Sequence, residues 1–339
     1  MKPLSSMPPN SKAESAHQLK AQPSTGASKF QAEGYRVAVV MPALNEEGVV
    51  GSVVKLVKGA FSKASCPIQL DVVVVDGNSR DTTVTAARQE GAIVIVQKNY
   101  GYGDALYSGF VFCRDELKSD IICTLDADGS YDPSSLVASV SSLMNDEYDL
   151  VVGKRLPDKG AMRFSSRIGN AVISALVRRI LGVRVSDSQS GMFTFWSYLA
   201  DNIQPKVRGW AFNTEILTRA LESEYRLGEV PVRYSSRHGE TKLSAISGGA
   251  ANAGAILRML RDSRPLLFHG AISGILLLGA LLLGILTILR DSALLGVLTT
   301  LTAVAGIQIL VLGMVADMIK DLRTSGMRKP VPYRKPKKS

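Results

Sequence analysis

The sequence predicts an α/β domain on a mainly parallel, doubly wound sheet, followed by two helices that cross a membrane. Three observations carry this. Between Tyr35 and about Gly153, short β-branched runs alternate with helical stretches, the pattern of strands joined by crossover helices. Polar and glycine-rich clusters fall at the carboxyl ends of those runs, where open parallel sheets bind their ligands. Near the end of the chain, Leu266–Leu289 and Ala293–Ala316 are almost uncharged runs of about 24 residues each, long enough to cross a bilayer.

Taken in order, residues 1–34 are rich in Ser, Pro, Ala, Lys and Gln without apolar periodicity. They lack the hydrophobic core of a signal peptide and are expected to be disordered. Strands are expected over Arg36–Met41, Leu70–Val75, Ala92–Gln97, Asp120–Leu125 and Asp149–Val152. Helices are expected near Glu47–Phe61, Asp81–Gln89, Asp104–Arg114 and Pro133–Met144. After Gly153 the pattern changes, with a helical segment at Ile168–Leu181. The division is then a catalytic domain over 35–243, an interfacial helix over 244–264, a two-span hairpin over 265–317 and a basic tail over 318–339.

Charge orients the hairpin. Arg258, Arg261 and Arg264 precede it, and from Asp317 onward eight basic and two acidic residues carry +6 of the formal net +10. The positive-inside tendency puts both termini and the catalytic domain on the cytoplasmic side, with the basic tail against anionic lipids. Nucleic acid is excluded as a partner, since no aromatic platform or recognition fold accompanies the basic residues. Cys66, Cys113 and Cys123 are too far apart for a disulfide framework or zinc knuckle and suit a reducing compartment. His17, His238 and His269 are scattered. No internal repeat is present.

The most informative motif is Asp126-Ala127-Asp128 at the end of the apolar run Ile121–Leu125. Residues i and i+2 of a strand point to one side, so both carboxylates converge beyond the sheet edge. Two hard oxygen ligands from so short a segment suit a divalent cation that keeps positions open for a diphosphate. A calcium loop is excluded, because the twelfth position from Asp126 is Val137 rather than glutamate. Asn45 and Glu46 open a helix, and capping alone accounts for them; Glu46 is also placed to accept from a ribose or base. Asp76, expected as an exposed carboxylate on the sheet rim, suits a nucleobase N–H. Lys98–Asp104 holds two glycines but neither the dinucleotide fingerprint nor the Walker lysine. Arg155, Arg163 and Arg167 beside small residues suit an anionic ligand or lipid headgroups, and both readings stand. No His or Cys nucleophile system is present.

Six segments in this order resemble the family 2 glycosyltransferases with the GT-A fold, in particular the polyprenyl-phosphate hexose synthase group that includes dolichyl-phosphate mannose and glucose synthases. They are Met41–Glu47, Val75–Asp81, Leu125–Gly129, Val152–Arg155, Ser186–Gly191 and Gly239–Leu243. The resemblance implies a membrane-anchored, inverting transferase moving a sugar from a UDP- or GDP-linked donor to a polyprenyl phosphate, with Mg²⁺ or Mn²⁺ as cofactor. It implies that Pro42, Leu44, Glu46, Val75, Asp76 and Ala127 line the donor pocket. Asp126 and Asp128 would hold the metal on the donor diphosphate, with Ser130 at a third metal position. Arg155, Arg163, Arg237 and Lys242 would surround the donor and acceptor phosphates. Three departures stand out: Leu44 where an aromatic is usual, Gly77 for a frequent second acid, and Ser130 for a frequent glutamine. A phosphate acceptor needs no strong base; a hydroxyl acceptor on a glycan or glycolipid does, and Glu215 is then the best carboxylate. A non-catalytic scaffold and a nucleotidyltransferase are the remaining alternatives. Homo-oligomers are compatible with all of these.

Overall fold

The computed structural model describes residues 34–64, 67–162, 164–182, 185–202, 209, 211–237, 254 and 257–326. Seven strands form one sheet in the order β3-β2-β1-β4-β6-β5-β7. They are β1 (Tyr35–Ala43), β2 (Ile68–Asp76), β3 (Ile93–Val96), β4 (Ile121–Thr124), β5 (Leu150–Pro157), β6 (Phe193–Trp196) and β7 (Leu227–Tyr234). All run parallel except β6, which pairs antiparallel with both β4 and β5. Crossover helices α1 (Val50–Phe61), α2 (Thr83–Gln89), α3 (Tyr102–Asp115) and α4 (Ser134–Met144) link the first five strands. Helices on the sheet faces explain why Val37–Met41 and Val72–Val75 are buried along their whole length: a covered parallel strand reads as a continuous apolar run.

Register decides where the polar clusters go. Ala43 pairs with Asp76 across β1 and β2, and Val40 pairs with Thr124 across β1 and β4. The loops after β1, β2 and β4 therefore leave the sheet side by side on one edge. Helix α1 buries Val50, Val53, Val54, Val57 and Phe61, the spacing of one helical face. It begins three residues later than expected from Glu47, because the Glu46 carbonyl accepts from both Val49 and Val50 amides and closes a turn first. Helix α3 lies so close to the sheet that a Cβ on Gly109 would come within 2.4 Å of Val40.

Beyond β5 the structure departs from expectation. Helix α5 spans Phe164–Leu176 and continues as one π turn, Val177–Leu181, starting earlier than the expected Ile168. Strands β6 and β7 were not expected. The first is only four residues long, and the second carries Pro231 in its interior. Proline cannot donate to a ladder and is confined to edges, and β7 is the edge strand. Two short helices follow β6: α6 (Leu199–Asn202) and α7 (Phe212–Glu222).

The apolar hairpin comprises α8 (Pro265–Arg290) and α9 (Ala293–Gly326), joined at Asp291 in the left-handed conformation with φ 44°. Both are long and apolar enough to cross a membrane, and few of their residues are buried within the protein. The helices meet where α9 is small: a Cβ on Gly313 would fall 2.7 Å from that of His269, and one on Gly306 would fall 3.0 Å from Leu277. Helix α9 runs on past Ala316, and Lys320 donates to the Ser263 carbonyl just ahead of α8. Of the expected interfacial helix, residues 257–263 are helical. The expected N-terminal disorder, Arg163, Lys242 and most of the basic tail lie outside the described residues.

Candidate active site

The carboxyl ends of β1, β2 and β4, with the loop before β6, enclose one polar site. At its centre Asp126 and Asp128 follow β4. Asp128 Oδ1 accepts from the Ser130 amide (3.0 Å) and hydroxyl (2.6 Å). Asp126 Oδ1 accepts from the Tyr102 hydroxyl at 3.1 Å. Burial pushes the Asp126 carboxyl up to about 7 and the Asp128 charge adds to this, while Tyr102, Arg155 and Arg237 oppose it. The Tyr102 hydroxyl is raised well above its usual range, first by burial and then by the Asp126 charge.

Gly191 closes the other side. A Cβ there would stand 2.8 Å from Asp126 Oδ2 and 2.9 Å from the Tyr102 hydroxyl, so only glycine leaves the carboxylate its place. The loop is held by Gly191 N–H donating to the Tyr131 hydroxyl (2.7 Å) and by Thr124, whose hydroxyl donates to the Gly191 carbonyl (2.7 Å) and accepts from the Phe193 amide (2.8 Å). Arg237 enters from the end of β7. Its Nη2 donates to Glu46 Oε1 at 3.3 Å, and its Nε lies 3.7 Å from Asp128 Oδ2. That Nε is buried without a hydrogen-bond partner among the described residues.

Other expected site residues fall in different environments. Arg155 is bound by Asp187 through Nε (2.7 Å) and Nη2 (2.8 Å), a bidentate pair, and its guanidinium lies 5.5 Å from the Tyr234 ring centroid. Asp76 is not exposed as expected: only 3% of it is accessible, and its carboxylate accepts from the Ser79 amide at 3.1 Å, a local turn bond of the kind aspartate makes. Val75 and Ala127 are buried, because α3 covers β2 and the loop packs inward, so their main chains are what remains for a ligand. Leu44 is exposed beside Gly77, and Pro42 is half-buried. Ser130 is buried with its hydroxyl turned to Asp128; in this geometry it positions that carboxylate. Glu215, near the start of α7, is buried and paired with Arg219 at 2.8 Å.

Residue reading missed Tyr102, Gly191, Asp187 and Tyr131. Tyr102 and Gly191 belong to segments noted above, but their roles come from contacts across 24 residues or more. In the glycine-containing stretch Lys98–Asp104, Asp104 accepts from the Asn99 amide (3.1 Å) and side chain (3.0 Å) at the start of α3.

Among the described residues no group of three His, Cys, Asp or Glu forms a metal cluster. The fit of a divalent cation rests on the acid pair. Asp126 Oδ2 looks into the space that a Cβ on Gly191 would fill, and Asp128 Oδ2 lies 3.7 Å from Arg237 Nε, beyond hydrogen-bond distance. Two hard oxygens with coordination left for a diphosphate suit Mg²⁺ or Mn²⁺.

Comparison with known proteins identifies the family. Residues 38–202 match the model of glycosyl transferase family 2. The chain is 35% identical to a dolichyl-phosphate hexose transferase of Haloferax volcanii, over 67% of this chain and 95% of that one. It is 28% identical to a dodecaprenyl-phosphate galacturonate synthase of Rhizobium johnstonii, over 85% and 88% of the two chains. The crystal structure of glucosyl-3-phosphoglycerate synthase from Mycobacterium tuberculosis with Mn²⁺, UDP-glucose and phosphoglyceric acid superposes with a TM-score of 0.52 at 20% identity, covering 70% of this chain and 85% of that one. That last likeness is one of fold. With the GT-A architecture, the acid pair at the strand ends and the apolar hairpin, this chain belongs to the family 2 glycosyltransferases and is a membrane-associated enzyme acting on a nucleotide-sugar donor.

Proposed function

We propose that the enzyme transfers a hexose from a UDP- or GDP-linked donor to the phosphate of a polyprenyl lipid at the cytoplasmic membrane face, with inversion at the anomeric carbon. The observation that carries the proposal is the acid pair Asp126–Asp128 standing beside two guanidinium groups at the sheet edge, on a chain with a membrane hairpin. Both named relatives act, by their names, on long-chain lipid phosphates. The domain division and cytoplasmic orientation given above belong to this proposal.

The chain's own residues divide the work. The end of β1 and Glu46 flank the nucleoside. Asp126 and Asp128 would hold Mg²⁺ or Mn²⁺, which when bound neutralises charge on the departing nucleoside diphosphate. Tyr102, Ser130 and Gly191 fix the two carboxylates. Arg237, already beside Glu46 and Asp128, is placed to pair with a diphosphate once it leaves those acids. Arg155, locked by Asp187, contributes a fixed positive charge that eases the approach of two anions in a partly dry site. A phosphate nucleophile is already ionised, so no general base is required.

A second reading has strong support. A 30% identical relative is, by its name, a hexosyltransferase of low-salt glycan biosynthesis in Haloferax volcanii. Taken together, the relatives favour the broader statement, sugar transfer to a hydroxyl or a lipid phosphate, over polyprenyl phosphate alone. Glu215 would be the base for a hydroxyl, though its pairing with Arg219 opposes that role.

The test incubates full-length protein in lipid nanodiscs with a panel of nucleotide sugars and either polyprenyl phosphate or a glycolipid, with and without Mn²⁺, and identifies products by mass. A hexosyl-phosphopolyprenol that survives Glu215→Gln supports the first reading. Product only on a free hydroxyl, lost in Glu215→Gln, supports the second and refutes the first.

A further inference from the structure

We propose that Glu229 is a positioning residue for sugar transfer, holding the Ser186–Asp187 turn so that Asp187 sets the Arg155 guanidinium against the incoming anion. This role rests on the reading above, in which Arg155 eases the meeting of two anions. Strand β5 pairs with β7 over its whole length, Leu150–Pro157, but with β6 only over Leu150–Val152. Beyond that point the loop before β6 covers the other side of β5. Gly153 N–H donates to the Met192 carbonyl at 2.9 Å, and Arg155 N–H donates to Asp187 Oδ2 at 3.2 Å. Arg155 therefore sits where its neighbour on that side is a loop. A ladder fixes its partners through both backbones; a loop needs side chains to do the same.

Glu229 supplies one. It stands on β7 opposite Val152, while Arg155 is opposite Val232 further along the same pair of strands. Glu229 Oε1 accepts from the Ser186 amide at 2.6 Å and the Asp187 amide at 3.2 Å, and its Oε2 accepts from the Ser186 hydroxyl at 2.9 Å. Among the described residues Glu229 bonds only Ser186 and Asp187, so it acts through the turn. Asp187, held in this way, accepts from the Arg155 backbone N–H, Nε and Nη2. The side chains of Arg155 and Asp187 are only 10% and 14% exposed. In so dry a pair, a misplaced carboxylate leaves an uncompensated charge. With Nε and Nη2 taken, the planar fork leaves its Nη1 edge for a phosphate.

Steady-state kinetics of the full-length enzyme in nanodiscs test this, using the UDP- or GDP-hexose and the polyprenyl phosphate or glycolipid on which the parent turns over. Glu229→Ala should lower kcat about 100-fold, the cost of misplacing a group at the reacting centre, while the donor KM changes less than about threefold. Glu229→Gln keeps one accepting oxygen for both amides and should restore most of the turnover. In an Arg155→Lys background, where the bidentate pair is already lost, Glu229→Ala should cost only about threefold more, because residues that act as a unit are not additive. If Glu229→Ala does not fold in a thermal melt, Glu229→Asp, one methylene shorter, takes its place with the same expectation. Parental kcat would overturn the proposal, even with a lowered melting temperature, as would Glu229 and Arg155 losses that simply multiply. Product on a hydroxyl acceptor alone would instead refute the polyprenyl-phosphate reading, and the coupling between Glu229 and Arg155 would then be decided on that acceptor.

Discussion

Replacing Gly191 with alanine tests the construction of the site most directly. The new methyl would stand 2.8 Å from Asp126 Oδ2, 2.9 Å from the Tyr102 hydroxyl and 3.0 Å from Asp126 Oδ1, where ordinary contact begins at 3.4 Å. Something must therefore yield by about 0.6 Å. The Gly191 backbone is anchored by Tyr131 and Thr124, so the Asp126 side chain is the part free to move. Metal–oxygen distances tolerate only about ±0.2 Å, so a shift of this size pulls one ligand out of range. We expect Mn²⁺-dependent binding of the donor nucleotide, whichever of UDP and GDP the parent binds, to weaken about 10- to 100-fold, the usual cost of losing support around a metal ligand. Overpacking should lower stability by about 1–3 kcal/mol. Isothermal titration of that nucleotide at several Mn²⁺ concentrations, beside a urea melt, separates the two effects. A variant that binds Mn²⁺ and the nucleotide like the parent would refute both the placement of Asp126 and its role in holding metal.

Three further outcomes are expected. Tyr102→Phe removes the hydroxyl that bonds Asp126 while keeping the ring; a hydrogen bond to a charged group contributes about 1.5–3 kcal/mol, so Mn²⁺ affinity should fall about tenfold or more in a titration, with little change in fold. The metal-free enzyme should lose stability as pH rises from about 4 towards 7. Burial holds the Asp126 carboxyl at about 7 in the folded chain against an ordinary value of 3.8, so between these values the folded state holds a proton that the unfolded chain has released. Asp128, Tyr102, Arg155 and Arg237 face this carboxyl and set the slope, and thermal melts across that range should show Mn²⁺ stabilising the protein more as pH rises. Truncation after Arg264 should reduce turnover on long-chain lipid far more than donor binding, because the anchor raises effective concentration without adding donor contacts; equal loss of both would contradict that role.

Much of the architecture was legible because it depends on local pattern. β-branched runs alternating with helical stretches specify a parallel sheet, and uncharged runs of span length specify the hairpin. Asp126 and Asp128 were identifiable because residues i and i+2 at a strand end point to one side, which brings two hard oxygen ligands together. The late strands were not legible. β6 is a four-residue aromatic run and β7 contains Pro231, signals too short or too interrupted for periodicity to resolve.

By its residues alone the chain determined its fold class, its apolar hairpin and the acid pair, since each is written in neighbouring positions. Only the tertiary structure decided that Tyr102 and Gly191 confine Asp126, that Asp187 locks Arg155, that Arg237 bridges Glu46 and Asp128, and that Asp76 turns inward. The physical reason is that a side chain's partner is set by sheet register and helix packing between segments distant in sequence. No local spacing encodes that register.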